Sequence, residues 1–174
     1  MNGIVCDATV LIYLARIGQL SLLDRMFSPV IVPQTVYQEV VDRGKAEGYP
    51  DALTIEEQSS SFDVRELREE LHDMEASIRT TSHLGEGESA ALVMAIDLGY
   101  RCLTDDGAAR RTAEAYNVPV GGTMYVLLQA RVEESWTQET YISRLDALDD
   151  AGFHMSAGLY RDAREAGERL SENP

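Results

Sequence analysis

Gly3-Ile4-Val5-Cys6-Asp7-Ala8-Thr9-Val10-Leu11-Ile12 begins as a short apolar run and stops abruptly at a carboxylate. A run of that length, bounded by a polar residue and followed by apolar residues at helical spacing, predicts a buried strand ending at Asp7 and a helix after Thr9. The helical pattern runs through Leu11, Ile12, Leu14 and Ala15 and resumes past Gly18 with Leu20, Leu22 and Leu23. Val30-Ile31-Val32 predicts a second strand, stopped by Pro33. From Gln34 to Arg43 the residues Val36, Tyr37, Val40 and Val41 share one helical face, and Glu39 travels on that helix. Cys102-Leu103-Thr104 predicts a third strand ending at Asp105 and Asp106, and Val118 to Val120 a fourth. Short apolar strands alternating with helices imply an α/β fold, a parallel sheet with helices on both faces.

Between these units the chain is more varied. Gly44, Gly48, Pro50 and Ser59-Ser60-Ser61 mark residues 44–62 as a loop or mobile insertion. Leu67, Leu71, Met74 and Ile78 predict an amphipathic helix over 64–80. Gly85 and Gly87 precede a strong helix from about Glu88 to Leu98, and another is expected from Ala108 to Tyr116. The pattern from about 123 to 170 is helical with a break near Gly152, and its apolar positions Tyr141, Leu145, Leu148 and Leu159 are suited to packing on the domain or on a second copy. The expected organisation is one domain over 1–165 and a polar tail over 166–174.

The 174 residues include 30 Asp or Glu against 15 Lys or Arg, a net charge of −15. That length is enough for one domain with a sizeable core. With 44% hydrophobic and 26% charged residues, the composition is that of a folded protein and not of a disordered acidic chain. No apolar run approaches the roughly 20 residues of a membrane span. The apolar N-terminus lacks a basic start and carries Asp7 within it, so no signal peptide is expected and the cytoplasm is the expected compartment. Lys45 is the only lysine, and the other fourteen basic residues are arginine. Excess carboxylate with almost no lysine resembles proteins of salt-loving archaea, whose acidic surfaces hold water at high salt. Such acidity ordinarily opposes nucleic-acid binding, an objection that weakens if it serves salt tolerance. Cys6 and Cys102 are too few for a disulfide framework and read as buried thiols.

In parallel sheets ligands gather at the C-terminal ends of the strands, where Asp7, Asp105 and Asp106 are expected. Carboxylates held together repel one another and stay ionised only with a compensating cation. Mg²⁺ and Mn²⁺ are hard ions that favour such oxygen ligands, and a pair of them activates water against a phosphodiester. Each acid also has a plainer reading. Asp7 suits a helix-entry turn, Asp105-Asp106 a turn or cap before the next helix, Glu88 a helix N-terminus, and Glu39 a solvated surface. Arg110 and Arg111 suit a phosphate clamp or salt bridges with neighbouring acids. Gly85-Glu86-Gly87 lacks the preceding strand and the third glycine of a dinucleotide loop. His72, His83 and His154 lack metal-ligand spacing, and no serine or cysteine has an evident base.

Four segments in order resemble the motifs of the PIN-domain family, a metal-dependent nuclease fold. They are Asp7-Ala8-Thr9-Val10-Leu11-Ile12, Val32-Pro33-Gln34-Thr35-Val36-Tyr37-Gln38-Glu39-Val40, Leu84-Gly85-Glu86-Gly87-Glu88-Ser89-Ala90-Ala91-Leu92 and Leu103-Thr104-Asp105-Asp106. The likeness extends through Ala109-Arg110 and Val120-Gly121-Gly122-Thr123 to Ala151-Gly152-Phe153-His154-Met155-Ser156, over about residues 1–165. It implies a three-layer α/β/α sandwich with a central parallel sheet and a helical C-terminal region. It also implies that Asp7, Glu39, Glu88 and Asp106 hold one or two Mg²⁺ or Mn²⁺ ions. Thr9 would hydrogen-bond Asp7 or a water on the ion, Asp105 and Glu86 are second choices as ligands, and Arg110 and Arg111 would contact the substrate. The implied activity is endoribonuclease cleavage of RNA, as in the toxin of a toxin–antitoxin pair, with an antitoxin protein as partner and a homodimer as assembly. The alternative is a PIN-fold module that binds nucleic acid or protein without turnover.

Overall fold

The computed structural model describes residues 3–171. Strand β1 (Ile4–Cys6) leads into α1 (Ala8–Arg16) and the short α2 (Leu22–Met26). Strand β2 (Val30–Pro33) leads into α3 (Gln34–Tyr37), which continues directly through a π-helical stretch (Gln38–Arg43) into α4 (Gly44–Ala46). Helix α5 (Pro50–Gln58), strand β3 (Asp63–Arg65) and α6 (His72–Ser82) follow, then α7 (Glu86–Leu98), strand β4 (Arg101–Leu103) and α8 (Gly107–Ala115). The chain closes with strand β5 (Val120–Gly121), α9 (Thr123–Glu133), α10 (Gln138–Asp150) and α11 (Ala157–Ser171).

The five strands form one parallel sheet in the order β3-β2-β1-β4-β5. The central strands β1 and β2 are apolar throughout because both faces are covered, and alternation along β1, β2 and β4 sorts their residues between two cores. Ile4, Cys6, Val30, Val32 and Leu103 join the core built with α1, α5, α9 and α10. Val5, Ile31 and Cys102 face the other layer, where α7 supplies Ala91, Leu92 and Val93 and α8 supplies Ala109 and Ala113. The result is a three-layer α/β/α sandwich. The strand order reverses between β1 and β4, and that reversal opens a crevice at the C-terminal ends of these two strands. Cys6 pairs with Leu103 across the crevice, so Asp7 and Thr104 emerge side by side.

Four expectations from the sequence are corrected. Residues 44–62 are largely helical where a loop or mobile insertion was expected. Pro50 occupies the first turn of α5, and Ala52 and Ile55 are buried one turn apart as α5 packs on α1. The helix expected over 64–80 starts only at His72. Before it, β3 is recruited to the sheet by backbone pairing of Val64 with Val32, a partnership that side-chain periodicity cannot announce. The strands expected at 102–104 and 118–120 are β4 and β5, which lie at 101–103 and 120–121, one or two residues away. Finally, α11 runs through Ser171, past the boundary expected at 165, because Ala163 and Gly167 are buried and the Tyr141 hydroxyl donates to the Ala163 carbonyl at 3.2 Å. The last part of the expected tail, 172–174, lies outside the described residues.

Candidate active site

Asp7 ends β1 and begins α1 as its N-cap, with 2% of its surface exposed. Its Oδ1 accepts the Ala8 amide at 2.6 Å. Its Oδ2 accepts the Thr104 hydroxyl at 2.9 Å and the Thr9 hydroxyl at 3.3 Å. These donors favour the carboxylate, but burial outweighs them, and the charges of Glu88 and Glu39 add to the upward push, so Asp7 is raised to about 6. An acid in that condition is stabilised by any cation that reaches it.

Glu39 lies in the π-helical stretch that follows β2. Its Oε2 lies close against Gly87, where an added Cβ would sit only 3.1 Å from it, so the absence of a side chain at 87 makes room for the carboxylate. Glu88 stands in the first turn of α7 and its Oε2 accepts the Gly85 amide at 2.8 Å, the glutamate half of a capping box, since glycine has no side chain to return the bond. Glu86 is exposed in that same first turn.

At the end of β4 the two adjacent aspartates have parted. Asp106 is the N-cap of α8, its Oδ1 accepting the Ala109 amide at 2.7 Å. Asp105 turns away and grips the start of α9, accepting the Thr123 amide at 2.8 Å and the Thr123 hydroxyl at 2.6 Å. Burial raises the Asp105 carboxyl, opposed by those two bonds and by Arg110. A Cβ at Gly122 would collide with Asp105 Oδ1, so this grip depends on a glycine at 122.

Thr104, which the sequence placed at a strand end and in a motif without a role in the site, joins these parts. Its hydroxyl donates to Asp7 and accepts the Asp106 amide at 3.2 Å, while its carbonyl accepts Nη1 of Arg110 at 3.1 Å. Its signal in the sequence is the one hydroxyl residue between an apolar strand and a pair of acids.

The structure thus brings Asp7, Glu39 and Glu88 within electrostatic reach and links Asp106 to Asp7 through one threonine. Asp105 serves the scaffold. Arg110 is half-buried and anchored beside the site, whereas Arg111 is exposed. Among the described residues, no three acidic, histidine or cysteine side chains stand together closely enough to enclose an ion. Glu88 in particular is committed to its cap. The donor chemistry nevertheless fits a hard cation, since carboxylate and hydroxyl oxygens surround the crevice.

A doubly wound parallel sheet with carboxylates at the reversal of its strand order defines a class of α/β proteins that act at that crevice. The family model described as PIN domain matches residues 3–168, and the chain belongs to the PIN-domain family. PIN domains are generally nucleases. No curated protein matches the chain.

Proposed function

We propose that this protein is a Mg²⁺- or Mn²⁺-dependent endoribonuclease whose cation is held by Asp7, Glu39, Glu88 and Asp106. The observation that carries this reading is the condition of Asp7: buried at a strand end, pressed by two further carboxylates and raised to about 6. Bound there, a divalent ion supplies charge neutralisation and polarises water and phosphate oxygens. The chain's own residues do the rest. Thr104 and Thr9 hold the Asp7 carboxylate in one orientation by donating to Oδ2. Glu88, whose Oε2 accepts the Gly85 amide, and Glu39, whose Oε2 lies against Gly87, would add carboxylate oxygens to the ion. Asp106, with Oδ1 on its helix cap, would offer its second oxygen. Arg110, fixed on the Thr104 carbonyl, presents its other N–H groups to the RNA phosphates. In the cell the same activity would suit a toxin restrained by an antitoxin encoded beside it, acting as a homodimer.

The test is cleavage of end-labelled single-stranded RNA at high KCl, with Mg²⁺, with Mn²⁺ and with EDTA. Cleavage is expected to need the cation and to fall roughly 10²–10³-fold in Asp7→Asn, on the scale of losing one transition-state stabiliser. Cleavage that persists in Asp7→Asn, or in EDTA, overturns the proposal. RNA retention without cleavage under any metal would instead identify a binding module.

A further inference from the structure

A cavity of about 310 Å³ opens beside the ends of β4 and β5, against Asp105 and Gly122. Its lining includes Arg110, Met124, Tyr125, Phe153 and Leu159, with Asp105 at its edge. Both aromatic rings are held by neighbours. The Arg101 guanidinium lies 4.6 Å from the centroid of Tyr125, and Tyr13 meets Phe153 edge-on with centroids 5.0 Å apart. Tyr13 in turn donates its hydroxyl to the Gly152 carbonyl at 3.2 Å, which ties down the link carrying Phe153 between α10 and α11. Leu159 is 44% exposed. Asp105 spends both oxygens on Thr123, so Arg110 is the cation here with donors to spare. The Thr104 that donates to Asp7 also carries Arg110 on its carbonyl, which places the cavity one residue from the acids.

We infer that this cavity is a nucleotide subsite: it takes one unpaired base of a single-stranded RNA against Tyr125 and Phe153, with Arg110 on the adjoining phosphate. The inference rests on the nuclease reading for its RNA, and deepens it by assigning where the strand is gripped. Aromatic rings, one guanidinium and an apolar wall are the chemistry that unpaired bases select, because stacking accepts any base face while the cation meets the phosphate. A duplex cannot use such a site, since its bases are stacked on each other. The preference for unpaired strands is therefore built into the protein before any base is read. Fixed rings lose little freedom on binding, which favours a subsite over a surface that must first be ordered.

The test uses the whole chain, isotopically labelled and without added metal, titrated with each of the four nucleoside 5′-monophosphates while the amide signals of Gly122, Tyr125 and Phe153 are followed. Saturable shifts of these signals are expected. Affinity should fall about tenfold in Phe153→Leu, which keeps bulk but loses the ring. Leu159→Glu, at an exposed position that does not threaten folding, should weaken binding comparably by placing a carboxylate beside the phosphate. The unphosphorylated nucleosides should bind more weakly, and Arg110→Gln should erase that difference. No saturable shift overturns the inference, as does an affinity unchanged in both Phe153→Leu and Leu159→Glu. An equal response to inorganic phosphate alone overturns it too, and so do signals that move on simple dilution, which would make this face a contact between copies. Because the titration needs no metal, nucleotide binding together with no RNA cleavage in the Mg²⁺ and Mn²⁺ assays leaves the subsite standing and removes the nuclease reading, while metal-dependent cleavage without nucleotide binding does the reverse.

Discussion

Asp7 is where folding and proposed function pull against each other. Its carboxyl titrates near 3.8 in an unfolded chain and at about 6 in the fold, so the folded state holds its proton to higher pH. The contribution of Asp7 to the stability of the metal-free protein therefore falls as pH rises from about 4 to about 7, and the ionised carboxylate costs about 3 kcal/mol above that window. Asp7→Asn removes the charge while an amide can still meet Ala8 and Thr104. In EDTA at pH 7.5 its unfolding midpoint in urea should lie above that of the wild type, with the advantage gone at pH 4. Mn²⁺ should raise the wild-type midpoint and leave Asp7→Asn unmoved. A difference between wild type and Asp7→Asn that does not change between pH 4 and pH 7.5 counts against this role of Asp7. Asp105 makes the opposite case, a carboxylate bound fully into the scaffold. Asp105→Ala strips the Thr123 amide and hydroxyl of their acceptor, and urea unfolding should show a loss of about 1–3 kcal/mol.

At the scale of elements, the site is assembled from helix beginnings. Asp7 opens α1, Glu88 lies in the first turn of α7 and Asp106 caps α8. Each acid has a local duty that stabilises its helix by about 1 kcal/mol or less, and a second duty that only the assembled crevice creates. Substitutions at 88 separate the two. Glu88→Gln retains an acceptor for the Gly85 amide and should keep the thermal midpoint while abolishing metal-dependent cleavage. Glu88→Ala should lose both, and equal stability in the two variants would deny the cap. Glu39 differs, since it sits within a π-helical stretch, where one extra residue per turn re-aims side chains and which often marks functional sites. The helix itself was legible in Val36, Val40 and Val41; its π character was not, because a widened turn leaves the apolar spacing almost unchanged.

The whole molecule carries its charge of −15 on a structure with a buried acidic site. Screening shortens from about 10 Å at 0.1 M salt to about 3 Å at 1 M, so mutual repulsion of the surface carboxylates fades over that range. The thermal midpoint should rise steadily with KCl, as scanning calorimetry would register; a flat response would mean that the charges are already paired. The C-terminal helix belongs to this scale as well. Removing 166–174 takes away the last turns of α11 that cover Tyr141, which is 1% exposed. A cost of about 1–3 kcal/mol in unfolding free energy is expected from the apolar surface released. An unchanged midpoint would instead place the working boundary at 165, where composition alone suggests it.

What the sequence determined by itself was the alternation of strand and helix and the acids at the strand ends, because buried strands must be apolar and their first polar residue shows where they stop. Ile4-Val5-Cys6-Asp7 and Leu103-Thr104-Asp105-Asp106 carry that signal without help. Only the tertiary structure decided which neighbour each acid serves. Asp105 and Asp106 are chemically identical and adjacent, yet one grips α9 and the other caps α8, a choice made by the position of Thr123 and by the room at Gly122. Strand β3 and helix α5 were likewise settled by partners distant in the chain, since backbone pairing and the burial of two side chains on a neighbouring helix leave no period in the local sequence.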